Sequence, residues 1–180
     1  MTGRGLCILP LLLAATQISG CLLVRSTEHR IRLNEDGSGD ALMRLIDIRS
    51  DAETDSVVEE DFSELMKILR DSTVIGFETP GRTITGKQVL LLGDTLVGEV
   101  AYMFNRLDDV EGLRNANGEL FVVVGPDREV VKTNGRIERK PDGGVRIVWA
   151  KDAVRLHYEI AERLVRPSIS LASRYRDRIH

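Results

Sequence analysis

Apolar and polar positions follow three patterns along this chain. From Gly5 to Gln17 the residues are almost wholly apolar, with Arg4 just ahead of them. From Thr27 the pattern alternates, so Thr27, His29, Ile31 and Leu33 share one face of a strand. Asn34 to Gly39 is rich in residues that tolerate positive φ and predicts a turn; a second strand over Asp40–Ile48 completes a hairpin. Period then shifts to 3.6. Val58, Phe62, Leu65, Met66 and Leu69 make one stripe of a helix over Ser56–Arg70, with Ser56 and Glu59 spaced as a capping box and Lys67 and Arg70 suited to the dipole at its end. A Met and Phe stripe at this spacing is core rather than a cofactor site.

After the Pro80-Gly81 turn, alternation returns. Strands are predicted over Ile84–Leu92 and Thr95–Phe104, joined by the two-residue loop Gly93-Asp94, with Leu96, Gly98, Val100, Tyr102 and Phe104 on one face. Leu107, Val110 and Leu113 suggest a short helix closed by Asn115 to Gly118. Leu120–Val124, Val130–Thr133 and Arg136–Arg139 read as further strands, the last two separated by the turn Asn134-Gly135. Val145, Ile147 and Trp149 alternate inward, as do Val154, Leu156, Tyr158 and Ile160, which leaves Arg155, His157 and Glu159 outward. The sum is an α+β fold: an antiparallel sheet or meander packed with one main helix and one short one. Beyond Arg166, Pro167 and the serines predict a frayed, basic tail.

The first apolar stretch is too short to span a bilayer, which needs about 20 apolar residues. A charged start, a short apolar core and small residues at its end mark an export signal. Ile18, Ser19 and Gly20 lead into Cys21. This resembles the lipobox of bacterial lipoproteins, in which the cysteine thiol takes a diacylglycerol and cleavage frees the cysteine amine for acylation. Two or three acyl chains anchor stably where one is marginal. The expected organisation is a signal peptide (1–20), a lipidated cysteine and tether (21–26), one α+β extracytoplasmic domain (27–165) and a basic C-terminal tail (166–180).

Removing the first 20 residues leaves 160, enough for one domain with a real core. It takes away Arg4 and leaves 24 basic against 28 acidic side chains, a balance that argues against nucleic acid as a main partner. Cys7 leaves with the signal and Cys21 is acylated, so the folded domain has no thiol for a disulfide, a metal site or a nucleophile. Charge is unevenly spread. Residues 47–64 hold eight acidic side chains against Arg49 alone, and residues 163–180 hold five arginines against Asp177 alone. The two readings are solvated surface with a loose tail, or a tail lying on anionic lipid.

Three stretches together carry a resemblance. The first is the hairpin around Asp36-Gly37-Ser38-Gly39, just after the lipobox. The second is Leu96-Val97-Gly98-Glu99-Val100-Ala101-Tyr102-Met103-Phe104 followed by Leu107-Asp108-Asp109-Val110. The third is Thr133-Asn134-Gly135 followed by Val148-Trp149. Over roughly residues 24–150 the chain resembles the LppM-type bacterial envelope lipoprotein family. The resemblance implies an extracytoplasmic α+β domain and no catalytic residue to carry over. Many members of that family also have a C-terminal transmembrane helix; here the chain ends in a basic tail, so anchoring is expected to rest on the lipid.

Other motifs weigh little. Gly81 to Gln88 nearly matches a phosphate-binding loop, but Gln88 stands where Ser or Thr should bind Mg²⁺, and the next residues read as strand rather than helix. No nucleotide is expected. Asp36 to Asp40 offers oxygens for Ca²⁺ without the spaced carboxylates of a binding loop, so a hairpin turn is the simpler reading. His29, His157 and His180 lack zinc-ligand spacing, and no G-x-S-x-G elbow favours serine hydrolysis. Adjacent pairs such as Asp108-Asp109 and Glu59-Glu60 point apart and read as surface charge. No catalytic, cofactor-binding or metal residues are assigned, and no cofactor is expected. The functional expectation is a non-enzymatic envelope lipoprotein, extracytoplasmic and held to the membrane through Cys21. Its partner is an amphiphile in an apolar groove between sheet and helix, or an envelope protein recruited by the sheet face. An exported hydrolase is the alternative. Leu22 after the cysteine leans towards the outer membrane if the host has two.

Overall fold

The structure, a computed structural model, describes residues 22–70, 80–163 and 167–179. The alternation at the start of the domain forms two long strands, β1 (Leu22–Leu33) and β2 (Gly39–Ser50), paired from Leu22 opposite Ser50 to Leu33 opposite Gly39. Residues 22–26 are thus not a tether. Leu22 is already strand, packed against the apolar cluster under the main helix.

That helix, α1 (Asp55–Arg70), lies where its stripe predicts, with one difference at the start. Thr54 accepts the first helical hydrogen bond, from Val58 N, so Ser56 falls inside the first turn. Glu59 is drawn away to Arg174 and Arg178, and the expected capping box does not form. Strands β3 (Arg82–Leu92) and β4 (Thr95–Phe104) form the second hairpin, with Leu92 opposite Thr95. The expected short helix shrinks to a single 3-10 turn, Leu107–Asp109. Gly112, at φ 74, turns the chain out of helical geometry before Leu113. Leu113 instead opens β5 (Leu113–Ala116). The left-handed pair Asn117-Gly118 joins it to β6 (Glu119–Val124).

The remaining strands are β7 (Arg128–Thr133), β8 (Arg136–Arg139), β9 (Val145–Ala150), β10 (Arg155–Glu162) and β11 (Ile169–Ser170), followed by the helix α2 (Ala172–Ile179). All pairing is antiparallel, and the fold is α+β, but it is not one meander. The large sheet runs β3-β4-β2-β1-β10-β7, with β11 paired to β2; the small sheet runs β5-β6-β9-β8. Asn134-Gly135 is therefore not a hairpin turn but a crossing from the large sheet to the small one. A Cβ on Gly135 would lie 2.7 Å from both Ile147 and Trp149, so only glycine lets the chain pass this close to the core.

The sheets close on a core of Ile31, Tyr102, Leu156 and Tyr158 from the large sheet against Leu120, Ile147 and Trp149 from the small one. A second cluster joins Ile48 and Leu96 to Val58, Phe62 and Leu65 of α1 and to Leu171 and Ala172. Asp47, at φ 57, marks the change between them. Before it Ala41 and Met43 are buried; after it Ile48 and Ser50 are, a change made without an extra residue, since Ser26 opposite Ile46 and Val24 opposite Ile48 keep one register. Past this point β2 leaves β4 and pairs with β11. The C-terminal segment is thus built into the fold rather than frayed: Leu171 is fully buried. Among the described residues no helix is long and apolar enough to cross a membrane.

Candidate functional site

The charged positions that alternate with the core residues converge on the other face of the large sheet. Strand register sets Gln88 opposite Glu99, Glu99 opposite Arg44, and Arg44 opposite Glu28. It then sets Glu28 opposite Glu159, and Glu159 opposite Lys132. One polar residue from each of six neighbouring strands therefore forms a row across the sheet.

Bonds run along this row and to its flanks. Arg44 donates from Nε to Glu99 Oε1 at 2.6 Å and reaches Glu28 Oε2 at 3.4 Å. Gln88 donates its amide to the other Glu99 oxygen. Glu28 Oε1 takes Arg30 Nε at 2.9 Å and His157 Nε2 at 2.8 Å. Ser26 donates to Glu159 at 2.7 Å. Glu28 and Glu99 are only 6% and 7% exposed, unusual for acids on an outward face. Burial pushes the Glu28 pKa up, but the hydrogen bonds of Arg30 and His157 and the charges of Arg30 and Arg44 outweigh it and hold the group below its ordinary value. Glu99 is lowered chiefly by its bond from Gln88, then by Arg44, against the opposing effect of burial.

Chemically this is a saturated ionic network rather than a catalytic constellation. Ser26 is turned to Glu159 and His157 to Glu28, so the hydroxyl and the imidazole are committed to different carboxylates. His29 lies on the opposite face, stacked on Tyr158 with ring centroids 4.6 Å apart. Burial, with the charge of Arg82, drives its pKa down to about 4, which keeps it neutral.

The two lopsided charge stretches meet. Arg174 pairs with Asp55 and Glu59, Arg178 with Glu59, and Arg176 with Asp94 at 2.6 Å. Arg178 also lies 4.9 Å above the Phe62 ring. Both earlier readings of the tail give way to an intramolecular one. Beneath this contact Ser50 Oγ donates to Asp61 Oδ2 at 2.5 Å, while Asp61 Oδ1 is buried without a partner. Burial, with Asp51 and Glu60 nearby, raises the Asp61 pKa despite the Ser50 bond.

Ile18, Ser19, Gly20 and Cys21 lie outside the described residues, as does His180. Gly81-Gln88 passes straight into β3, and Gln88 belongs to the polar row. Asp36 Oδ1 accepts from the Ser38 amide at 3.0 Å and hydroxyl at 2.6 Å, bonds that hold a turn. Among the described residues no group of three or more His, Cys, Asp or Glu side chains could hold a metal ion. The polar row itself escaped sequence reasoning, although the hairpin about Asn34–Ser38 already implies that Glu28 faces Arg44.

No protein-family profile, curated protein or solved structure matches this chain.

Proposed function

We propose that this protein is a bacterial envelope lipoprotein, acylated on Cys21 and exposed outside the cytoplasm, which acts by binding rather than by catalysis. The observation that carries the reading is the pattern at the start of the chain. Arg4 precedes a short apolar run, and the Ile18-Ser19-Gly20-Cys21 pattern that closes it calls for cleavage before Cys21. The stretches that resemble LppM-type envelope lipoproteins point the same way, and residues from two of them, Asn134 and Trp149, are hydrogen-bonded to each other.

Of the two binding modes, recruitment of an envelope protein by a sheet face fits better than an amphiphile held between sheet and helix. That layer is occupied: Val58, Phe62, Leu96 and Leu171 have no exposed surface. A hydrolase would need a free nucleophile beside a base, and the serine and histidine of the polar face are each bonded to a carboxylate.

The test is metabolic labelling with palmitate in a bacterial host. Label should enter the wild-type protein and be absent from Cys21→Ala. Equal labelling of the two, or none in either, overturns the proposal.

A further inference from the structure

The polar face holds like charges directly opposite each other at two places. One is in the row, where Glu28 stands opposite Glu159, and there each carboxylate is bonded: Glu28 by Arg30, Arg44 and His157, and Glu159 by Ser26. On the small sheet, too, charges are bonded: Arg136 and Arg146 each contact both Glu119 and Glu138. The other place is the far end of β1 and β10, where Arg32 stands directly opposite Arg155, and Arg30 directly opposite His157. These four basic residues form a two-by-two block on one face. Like charges in directly opposed sheet positions repel.

The counter-charges present do not neutralise the block. Glu28 serves both Arg30 and His157 and also contacts Arg44. Asp40 takes Arg32 at 2.7 Å. Arg155 has no carboxylate partner among the described residues, and it is exposed. The side chains of Arg30 and Arg32 remain 52% and 63% exposed, with donors left over after their bonds to Glu28 and Asp40. The backbone beneath is fixed. Asn134 Nδ2 donates to the Arg155 carbonyl at 2.9 Å, Asn134 Oδ1 accepts from His157 N at 2.8 Å, and Leu33 N donates to Val154 O at 2.9 Å. Guanidinium groups on rigid strands, repelling one another until an anion lies between them, make a preorganised oxyanion site.

We propose that Arg30, Arg32, Arg155 and His157 bind a phosphate group carried by a soluble or polymeric molecule outside the anchoring bilayer. The last clause rests on the lipoprotein reading. Arg30 and Arg32 lie nine and eleven residues along the chain from Cys21, roughly 30 Å or more of extended strand, beyond the headgroups in which Cys21 would be held.

The experiment uses tripolyphosphate and residues 22–180, which contain every element among the described residues, at low ionic strength. Tripolyphosphate should raise the unfolding temperature of the wild type. Arg155→Gln should raise it without ligand, because the opposed charges are gone, and should weaken tripolyphosphate binding about five- to tenfold in calorimetry, as expected for losing a charge-assisted contact. Arg114→Gln, on an exposed arginine of the small sheet, should change neither. An equal tripolyphosphate response in wild type and Arg155→Gln, or no response in either, overturns the site. Arg155-dependent sedimentation with phosphatidylglycerol vesicles that tripolyphosphate does not compete away would assign the block to a lipid surface and overturn the stated source. Failure of palmitate labelling at Cys21 would remove the orientation argument alone and leave the tripolyphosphate result standing.

Discussion

Asn134 Oδ1 accepts a hydrogen bond from the Trp149 indole nitrogen at 2.7 Å. The same oxygen accepts from the His157 amide at 2.8 Å, and the Asn134 amide donates to the Arg155 carbonyl at 2.9 Å. One side chain at the crossing between the sheets thus satisfies groups on both. Asn134→Ala leaves the donor of a nearly buried tryptophan unpaired, and a loss of about 2 kcal/mol or more is expected. Trp149 is the only tryptophan, so its fluorescence in a urea titration reports this site directly. An unchanged midpoint would show that Asn134 does not join the sheets.

Stability should fall with acid because of His29. Its folded pKa, about 4, lies below the ordinary 6.5, since burial disfavours the charged ring. Between these values the unfolded chain takes up a proton that the folded chain refuses. The contribution is therefore complete above pH 6.5 and is lost as pH falls towards 4, up to about 3 kcal/mol at roughly 1.4 kcal/mol per unit. His29→Phe, which keeps a ring against Tyr158, should flatten the dependence of unfolding free energy on pH across that window. A slope equal to that of wild type would place the titration elsewhere.

Asp61 carries the opposite sign. Burial raises its pKa, so ionisation in the folded state weakens stability as pH rises above the ordinary carboxylate value of 3.8. Asp61→Asn keeps the shape beside Ser50 and removes the charge. It should raise the thermal midpoint at pH 7, with the advantage vanishing as pH approaches 4. An Asn variant that is less stable at pH 7 would mean that the ionised carboxylate is needed at this helix–strand contact.

Local pattern and long-range pairing were legible to different degrees. Period 2 marked most strands, and period 3.6 marked α1, because burial on one face constrains each element by itself. The joining of β1 to β10 was not legible. Ile31 opposite Leu156 is a contact between the two ends of the domain, and nothing in either segment's own alternation names the other. The crossing at Gly135 failed for a similar reason: Asn-Gly is a strong hairpin signal, and only the nearness of Trp149 shows why the glycine is there. For the polar row, outward alternation correctly placed Glu28 and Glu99 off the core face. Their burial comes from the long arginine side chains beside them, which is a property of the assembled sheet.

The C-terminal segment supplies the sharpest contrast between chain pattern and packing. Ala172–Ile179 is strongly polar and ends in arginines, which reads as solvated tail. Its hold on the domain comes from a few residues around it: Leu171 is fully buried among Ile48, Val58, Phe62 and Leu96, Ile169 pairs opposite Ser50, and Tyr175 donates to the Val89 carbonyl at 2.9 Å. The arginine pairs with Asp55, Glu59 and Asp94 are largely exposed, and such pairs contribute on the order of 0.5 kcal/mol each and are screened by salt. Leu171→Ala should therefore cost about 2–4 kcal/mol in denaturant unfolding, independent of ionic strength. Arg174→Gln together with Arg178→Gln should cost about 1 kcal/mol at low salt and almost nothing at 1 M salt. A Leu171→Ala effect below that of the arginine double variant would mean that charge, not the buried leucine, holds α2 in place.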